Sequence, residues 1–370
     1  MKPIGVYIHV PFCTQKCPYC DFYSLTDLQR MDDYTASVIK QIEQYGERLQ
    51  RQADTLYFGG GTPSVLGAQR LCRIIDAVRK QFGLHGAEIT VEVNPGAELD
   101  GLFAALAERG VNRVSVGMQS AQEQELRLLG RTHTAVQARE AVTAAHRAGI
   151  DNVSMDLMAG ISRQTQESLK DSALFCAESG ASHISAYLLK IEPETPYGKR
   201  REQLVLPDDD ETGDLYLCMV EELERLGYTQ YEISNFAGKG ADGALRTSRH
   251  NLKYWLCEEY LGLGPAAHSF LQGERFYFSR NLVAFLNGEE PIFDGVGGDR
   301  EEFAMLALRL TQGLTETLWQ ERFGQAMPQK YYRWARKYQA AGLVHVTGAG
   351  FSLTPQGFLV SNLLLGELLA

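Results

Sequence analysis

Three of the chain's seven cysteines, Cys13, Cys17 and Cys20, fall within eight residues of one another. They close the run Tyr7-Ile-His-Val-Pro-Phe-Cys13-Thr-Gln-Lys-Cys17-Pro-Tyr-Cys20. Thiols packed that tightly, with no matching cysteine pattern elsewhere, point to a metal centre rather than to disulfides. A structural zinc ion takes four protein ligands and three thiols meet here; His9 is a fourth only if the chain folds back past Pro11. A cubane iron–sulfur cluster accepts three cysteines and leaves one iron open for a chelating small molecule. Iron–sulfur is the reading and zinc the alternative. Cys72, Cys176, Cys218 and Cys257 stand singly and read as small buried hydrophobes.

A second group of residues suits a ligand beside such a cluster. Gly59-Gly-Gly-Thr-Pro-Ser64 lets backbone approach a ligand without a Cβ clash. It lacks the Gly-Lys-Ser/Thr end of a phosphate loop, and its plain alternative is a tight β-to-α turn capped by Thr62 or Ser64. Next to three thiols it fits a zwitterion whose amino group seeks carbonyls. Glu92 and Asp156 could take ribose hydroxyls or an ammonium, and Arg131 could pair with a carboxylate. The plain alternative for each is a solvated or structural ion-pair partner, which their strand-end placement disfavours.

The elements that must position these residues follow a strand–helix rhythm. Strands are expected at 5–10, 54–58, 88–94, 113–118, 152–156, 182–189 and 230–234, and helices at 32–49, 67–82, 98–109, within 121–148, at 165–179 and at 209–226. About six repeats imply parallel strands joined by right-handed crossovers, closed as a barrel or left as an open doubly wound sheet. In either form functional side chains gather at the strand C-terminal ends, where Cys13, the glycine run, Glu92, Gln119 and Asp156 all fall. Residues 237–299 break into Gly-rich loops that carry His250-Asn-Leu-Lys-Tyr254-Trp255. Helices at 299–310, 315–323 and 328–341, a hairpin over 343–353 and a helix over 354–369 resemble a winged helix. Tyr331, Tyr332, Trp334 and Tyr338 offer no basic recognition face, so a protein-contacting or lid module is expected there.

Composition is that of an ordinary globular protein, 44% hydrophobic and 22% charged, and a net charge of −10 argues against a nonspecific nucleic-acid surface. No charged-plus-apolar leader or membrane-spanning run is evident, so the thiols are expected in a reducing cytoplasm.

The motifs together resemble the radical S-adenosylmethionine (SAM) superfamily, in the branch of oxygen-independent coproporphyrinogen III oxidases and their HemW-type haem-chaperone relatives. The resemblance spans nearly the whole chain, through Tyr-Ile-His-Val-Pro-Phe-Cys, Gly-Gly-Gly-Thr-Pro-Ser, Glu-Val-Asn-Pro, Ser-Val-Gly-Met-Gln-Ser, Leu-Gly-Arg-Thr-His and Gly-Leu-Gly-Pro-Ala-Ala-His. It implies an α/β fold, a partial (β/α)6 TIM-like barrel with a C-terminal winged-helix-like α+β domain. The implied domains are a core over 1–236, a loop-rich extension over 237–298 and a C-terminal domain over 299–370. It also implies a [4Fe-4S] cluster on Cys13, Cys17 and Cys20. S-adenosylmethionine would touch Tyr7, Tyr19, Gly60, Gly61, Thr62, Glu92, Gln119, Arg131 and Asp156, with the backbones of Leu188 and His268 nearby. The oxidases carry a further cysteine two residues past the third ligand, where this chain has Phe22, and a longer stretch before the cluster than the twelve residues here. The chaperones carry His-Asn-x-x-Tyr-Trp, which this chain matches at His250–Trp255. The resemblance therefore implies a haem carrier with His250 as axial ligand, in what the sequence reads as an irregular loop; His133 and His183 are weaker alternatives that read as structural. Its implied partners are haem and apo-haemoprotein clients, with no nucleic acid and no membrane span, and peripheral membrane contact left open. The alternative is the porphyrinogen-decarboxylating oxidase itself.

Overall fold

The computed structural model describes residues 2–96 and 98–369; Met1 and Ala370, the outermost residues of the expected domains, and Ala97 lie outside the described residues. The first half alternates as the sequence reads: β1 (Ile4–Val10), α1 (Met31–Leu49), β2 (Ala53–Gly60), α2 (Gly67–Phe82), β3 (Glu88–Val93), α3 (Asp100–Glu108), β4 (Arg113–Gln119), α4 (Glu123–Leu128), α5 (Ala135–Arg147), β5 (Asn152–Ala159), α6 (Gln166–Glu178), β6 (His183–Leu188) and α7 (Asp209–Arg225). Strands β1 to β6 pair in sequence order, all parallel.

Period-two alternation divides each strand between two interiors. On β1, Ile4, Val6, Ile8 and Val10 are fully buried beneath the helices, where α1 answers with Tyr34, Val38 and Ile42. The intervening Tyr7 and His9 face the concave side, as do Tyr57, Glu92, Ser115 and Asp156 from the next strands. A polar inner face on a parallel sheet is unusual, because such sheets normally bury apolar residues on both sides. Three helix starts are fixed by reciprocal capping boxes, Thr134 with Gln137, Thr165 with Ser168 and Asp208 with Glu211.

The structure departs from expectation after α7. The seventh strand, expected over 230–234, is two short pieces, β7 (Thr229–Gln230) and β8 (Asn235–Ala237), and both run antiparallel. The intervening residues bond to the C-terminal part of the chain instead: Ile233 donates to the Arg309 carbonyl at 2.9 Å and Thr311 to the Tyr231 carbonyl at 3.1 Å.

The expected loop-rich extension is instead built of α8 (Arg249–Trp255), β9 (Tyr260–Leu263), β10 (His268–Leu271), β11 (Glu274–Tyr277), α9 (Leu282–Leu286) and β12 (Ile292–Val296). Strand β9 lies parallel to β1 on its free side, pairing Tyr7 with Gly262, and β10 to β12 continue antiparallel. One sheet of 12 strands results, ordered β12-β11-β10-β9-β1-β2-β3-β4-β5-β6-β8-β7 among the described residues, and it does not close. It is an open sheet with a parallel centre, of the partial-barrel kind that the sequence resemblance implies.

The C-terminal part follows the expected winged-helix order: α10 (Arg300–Ala307), β13 (Leu314–Thr315), α11 (Glu316–Phe323), α12 (Gln329–Gln339), β14 (Val344–Val346) and β15 (Gly350–Leu353). Strands β13, β15 and β14 make a separate three-stranded antiparallel sheet. The last expected helix is broken at Val360 into α13 (Pro355–Leu359) and α14 (Ser361–Leu369).

Candidate functional site

The cysteine loop leaves β1 at its C-terminal end and is pinned there by backbone bonds. Cys13 donates to the Leu25 carbonyl at 2.9 Å, Cys20 to Cys17 at 3.2 Å, and Tyr197 to the Pro18 carbonyl at 2.9 Å. The glycine run at the end of β2 packs directly against it. Gly60 has φ +108°, and a Cβ there would lie 2.5 Å from the His9 ring; a Cβ on Gly61 would lie 2.6 Å from the Phe12 carbonyl oxygen. The Gly61 and Thr62 amides donate to the Val10 and Phe12 carbonyls at 2.8 and 2.7 Å. Glycine is therefore required here to seat the cysteine strand, whatever ligand also uses the gap.

The three thiols do not converge on one point, and among the described residues no three His, Cys, Asp or Glu side chains are placed to share a single ion. They are close enough to feel one another: burial raises the Cys20 pKa first, and the neighbouring Cys17 and Cys13 add to the rise. A polynuclear iron–sulfur cluster, in which each cysteine meets its own iron, does not require the thiols to converge on a single ion as a lone zinc does. His9 is no fourth ligand. Its Nε2 bonds the Tyr23 carbonyl at 2.9 Å and its Nδ1 the Tyr7 hydroxyl at 3.1 Å, and burial above all lowers its pKa to about 4.

Around the thiols, donors and carboxylates gather at the strand ends. Arg131 donates to Cys17 Sγ at 3.5 Å, to Asn94 Oδ1 at 2.9 Å and to the Gly117 carbonyl. The Thr62 hydroxyl donates to Cys13 Sγ at 3.4 Å. Glu92 accepts from the Tyr57 hydroxyl at 2.8 Å, and Asp156 from the Ser115 hydroxyl at 3.0 Å. Burial lifts the Glu92 pKa to about 7, with the Asp156 charge adding to it. Burial likewise lifts Asp156 to about 6. Two half-buried carboxylates that resist ionisation form a site that prefers hydroxyl donors or a cation. Gln119, buried at the end of β4, holds a left-handed φ of +74°, a backbone strain of the kind that accompanies functional sites. Tyr19 stands edge-on to Tyr197 with centroids 6.3 Å apart, and Tyr7 lies deeper, 6.2 Å from Tyr57.

His250 is at the other end. The expected open loop is helix α8, and it plugs the mouth of the sheet at the strand N-terminal ends. Glu88, at the start of β3, accepts the Arg249 and His250 amides, both at 3.0 Å, so a carboxylate covers the helix's positive end. Lys253, 4% exposed, pairs with Asp54 at 2.9 Å and Glu258 at 3.1 Å. His250 is 1% exposed; its Nδ1 bonds the Thr55 hydroxyl and its Nε2 the Tyr254 hydroxyl, each at 2.8 Å. Its ring stacks on Tyr57 at 5.2 Å, and burial, then Lys253 and Arg113, lowers its pKa to about 3. In this arrangement both imidazole nitrogens are engaged, and the irregular loop expected from the sequence is corrected to a helix in which His250 is buried. Its neighbours Tyr254 and Trp255 are walls of the plug rather than of an exposed groove. His268 is exposed, stacked on Tyr277 at 5.1 Å. His133 bonds the Met118 carbonyl at 3.0 Å, and His183 bonds Ser154 at 2.7 Å and Tyr231 at 2.9 Å; both are buried.

The comparisons with known proteins agree with this layout. The family model described as the radical SAM superfamily matches residues 7–176, and that of the HemN C-terminal domain matches residues 299–360. A "Heme chaperone HemW" of Lactococcus lactis subsp. lactis is 34% identical over 370 residues, covering 95% of this chain and 95% of that protein. The Escherichia coli protein of the same name is 38% identical over 272 residues, covering 72% of this chain and 70% of its own. The chain belongs to the radical SAM superfamily, in its HemW family. The solved structure of the coproporphyrinogen III oxidase HemN from Escherichia coli overlays 99% of this chain and 90% of its own, with a TM-score of 0.82 at 20% identity. That likeness speaks to the fold.

Two residues at the centre of this family site were not singled out from the sequence. Asn94 lies two positions after Glu92, on the same face by alternation, and strand-end placement alone could have drawn attention to it. Tyr57 touches both ends of the inner face, through Glu92 and His250, which only the register of β2 discloses.

Proposed function

We propose that this chain is a haem carrier that binds haem and hands it to an apo-haemoprotein such as a respiratory enzyme. The observation that carries the reading is the end-to-end likeness to proteins named "Heme chaperone HemW", across 95% of both chains. Phe22, 67% exposed beside the cysteine loop, supports it, because the related oxidases place a cysteine there.

Cys13, Cys17 and Cys20 would hold the [4Fe-4S] cluster. When bound, that group supplies an open iron and a one-electron donor. Gly60, Gly61 and Thr62 would receive the amino group of S-adenosylmethionine, Arg131 would pair with its carboxylate, and Glu92 and Asp156 would accept from its hydroxyls. Gln119, Tyr7 and Tyr19 complete the contacts, with the backbones of Leu188 and His268 beside them. The domains are proposed as 1–236, 237–298 and 299–370, the last contacting a protein partner. No described helix is long and apolar enough to cross a membrane, and a reducing cytoplasmic setting with room for peripheral membrane contact suits the thiols.

Axial ligation by His250 requires an imidazole nitrogen to give up its bond to Thr55 or Tyr254, and α8 to leave the seat that Glu88 and Asp54 hold. The exposure of His268 favours a second reading, in which that imidazole is the ligand. Titrating anaerobically reconstituted protein with haem, then adding an apo-haemoprotein, tests the carrier function; failure to bind or to transfer would sink it. His250→Ala and His268→Ala assign the ligand by which one shifts the Soret band. A parallel assay is expected to show no consumption of coproporphyrinogen III, and protoporphyrinogen formation that disappears in Cys17→Ala would restore the oxidase reading.

A further inference from the structure

Between two of the three thiols runs an unbroken set of hydrogen bonds: Arg131 to Asn94 Oδ1 at 2.9 Å, Asn94 Nδ2 to Thr62 Oγ1 at 2.9 Å, and Thr62 Oγ1 to Cys13 Sγ at 3.4 Å. Arg131 also donates directly to Cys17 Sγ at 3.5 Å. The direction of every bond follows from its first member. A guanidinium has donors and no acceptor, so the Asn94 oxygen must face it. The amide nitrogen of Asn94 then faces Thr62 and, being donor-only, forces the threonine oxygen to accept. A hydroxyl that accepts there keeps its single proton for its other neighbour, the Cys13 sulfur.

We propose that Asn94 is a positioning residue that turns the Thr62 hydroxyl onto the Cys13 sulfur and thereby sets the reduction potential of a cluster bound at these thiols. The proposal rests on the cluster reading above. Hydrogen bonds to ligand sulfurs stabilise the reduced, more negative cluster and raise its potential. Asn94 adds no charge of its own and touches no thiol. Its effect lies in denying Thr62 any other acceptor.

Replacement by aspartate reverses the relay. Asn94→Asp keeps the shape and still accepts from Arg131, but its second oxygen now accepts from Thr62, so the hydroxyl proton turns away from Cys13. Full-length protein reconstituted with iron and sulfide, without S-adenosylmethionine, is titrated electrochemically, and the reduced cluster is followed by EPR. Asn94→Asp and Thr62→Val should each lower the midpoint potential by about tenfold in the reduction equilibrium, about 59 mV for one electron, and alter the EPR g values. Thr62→Ser, which keeps the hydroxyl, should restore the wild-type potential.

The added carboxylate charge is separated from the relay by the double variant. With no hydroxyl at position 62, Asn94→Asp retains only its charge effect, so its shift should be smaller than in the wild-type background. Asn94→Ala, carrying no charge, opens the space of the amide to water, which can accept from Thr62 in place of Cys13; it should therefore shift in the same direction by less, and it decides the matter should Asn94→Asp load poorly. Strictly additive shifts, or an unchanged potential in Asn94→Ala, would overturn the relay. Wild-type protein that takes up no iron and sulfide would instead refute the cluster reading.

Discussion

Glu92 and Asp156 are carboxyls that burial holds well above their ordinary range while they still face the site. Burial raises Glu92 from its ordinary 4.5 to about 7. A carboxyl whose folded pKa is raised contributes stability fully present below its unfolded pKa and lost as pH rises through the folded one. In the ligand-free protein that window runs from about pH 4.5 to about pH 7, and Glu92 accounts for on the order of 2–3 kcal/mol across it. Denaturant midpoints at pH 5.5 and pH 8 should therefore diverge more for wild type than for Glu92→Gln, which accepts from Tyr57 at either pH. A gap between the two proteins that stays constant with pH would contradict this account. The same neutral-leaning carboxyls explain why the site suits hydroxyls or a cation. At the thiols, Cys17→Ala should abolish cluster absorbance after reconstitution; retention of a full complement of iron would show that these cysteines are not the ligands. This residue-level chemistry was legible because six parallel strands deliver their last residues to one rim, and the sequence marks those positions by type. The Asn94 relay was not, because its partner Arg131 lies 37 residues away and is brought near only by the β3–β4 register.

Helix α8 shows what hides an element. It has seven residues, too short for a periodic stripe to register, and the carboxylate that covers its start lies about 160 residues earlier in the chain. Gly264 and Gly273 stand in the short connections from β9 to β10 and from β10 to β11, whose strands of four residues resemble loops in sequence. The longer amphipathic helices, such as α1 with its buried Tyr34, Val38, Ile42 and Tyr45, were plain by comparison. A plug seated by one carboxylate can be loosened selectively. Glu88→Gln keeps one acceptor and removes the charge opposite the helix start, and should reduce stability by about 1–2 kcal/mol in chemical denaturation. If haem ligation needs α8 to leave, the same variant should take up haem faster in stopped flow. An unchanged association rate in a destabilised protein would place the haem elsewhere.

Across the whole molecule the two candidate haem ligands lie on opposite sides of the inner face. His250 is at the strand N-terminal ends, packed between Thr55 and Tyr254. His268 begins β10, just past the C-terminal end of β9, where Gly264 approaches the His9 carbonyl within the reach of a Cβ at 2.5 Å and His268 contributes to lowering the His9 pKa. That places it on the cluster's side of the sheet, where Arg280 also pairs with Asp21 at 3.4 Å. Removing the cluster therefore acts differently on the two modes. In Cys17→Ala, haem held by His250 should keep its affinity within about threefold, roughly 0.6 kcal/mol, because the ends are joined through intervening side chains: His250 stacks on Tyr57, which bonds Glu92, and lies 6.3 Å from the ring of Tyr7, which bonds His9. Haem held by His268 should lose more, since the loop that carries Asp21 is the one the cluster organises. Haem titration of wild type and Cys17→Ala, each also carrying His250→Ala or His268→Ala, reads out the difference. Equal loss of haem affinity on removing the cluster, whichever histidine remains, would mean that the two ends are not separate and that the open sheet transmits the state of its rim to the plug.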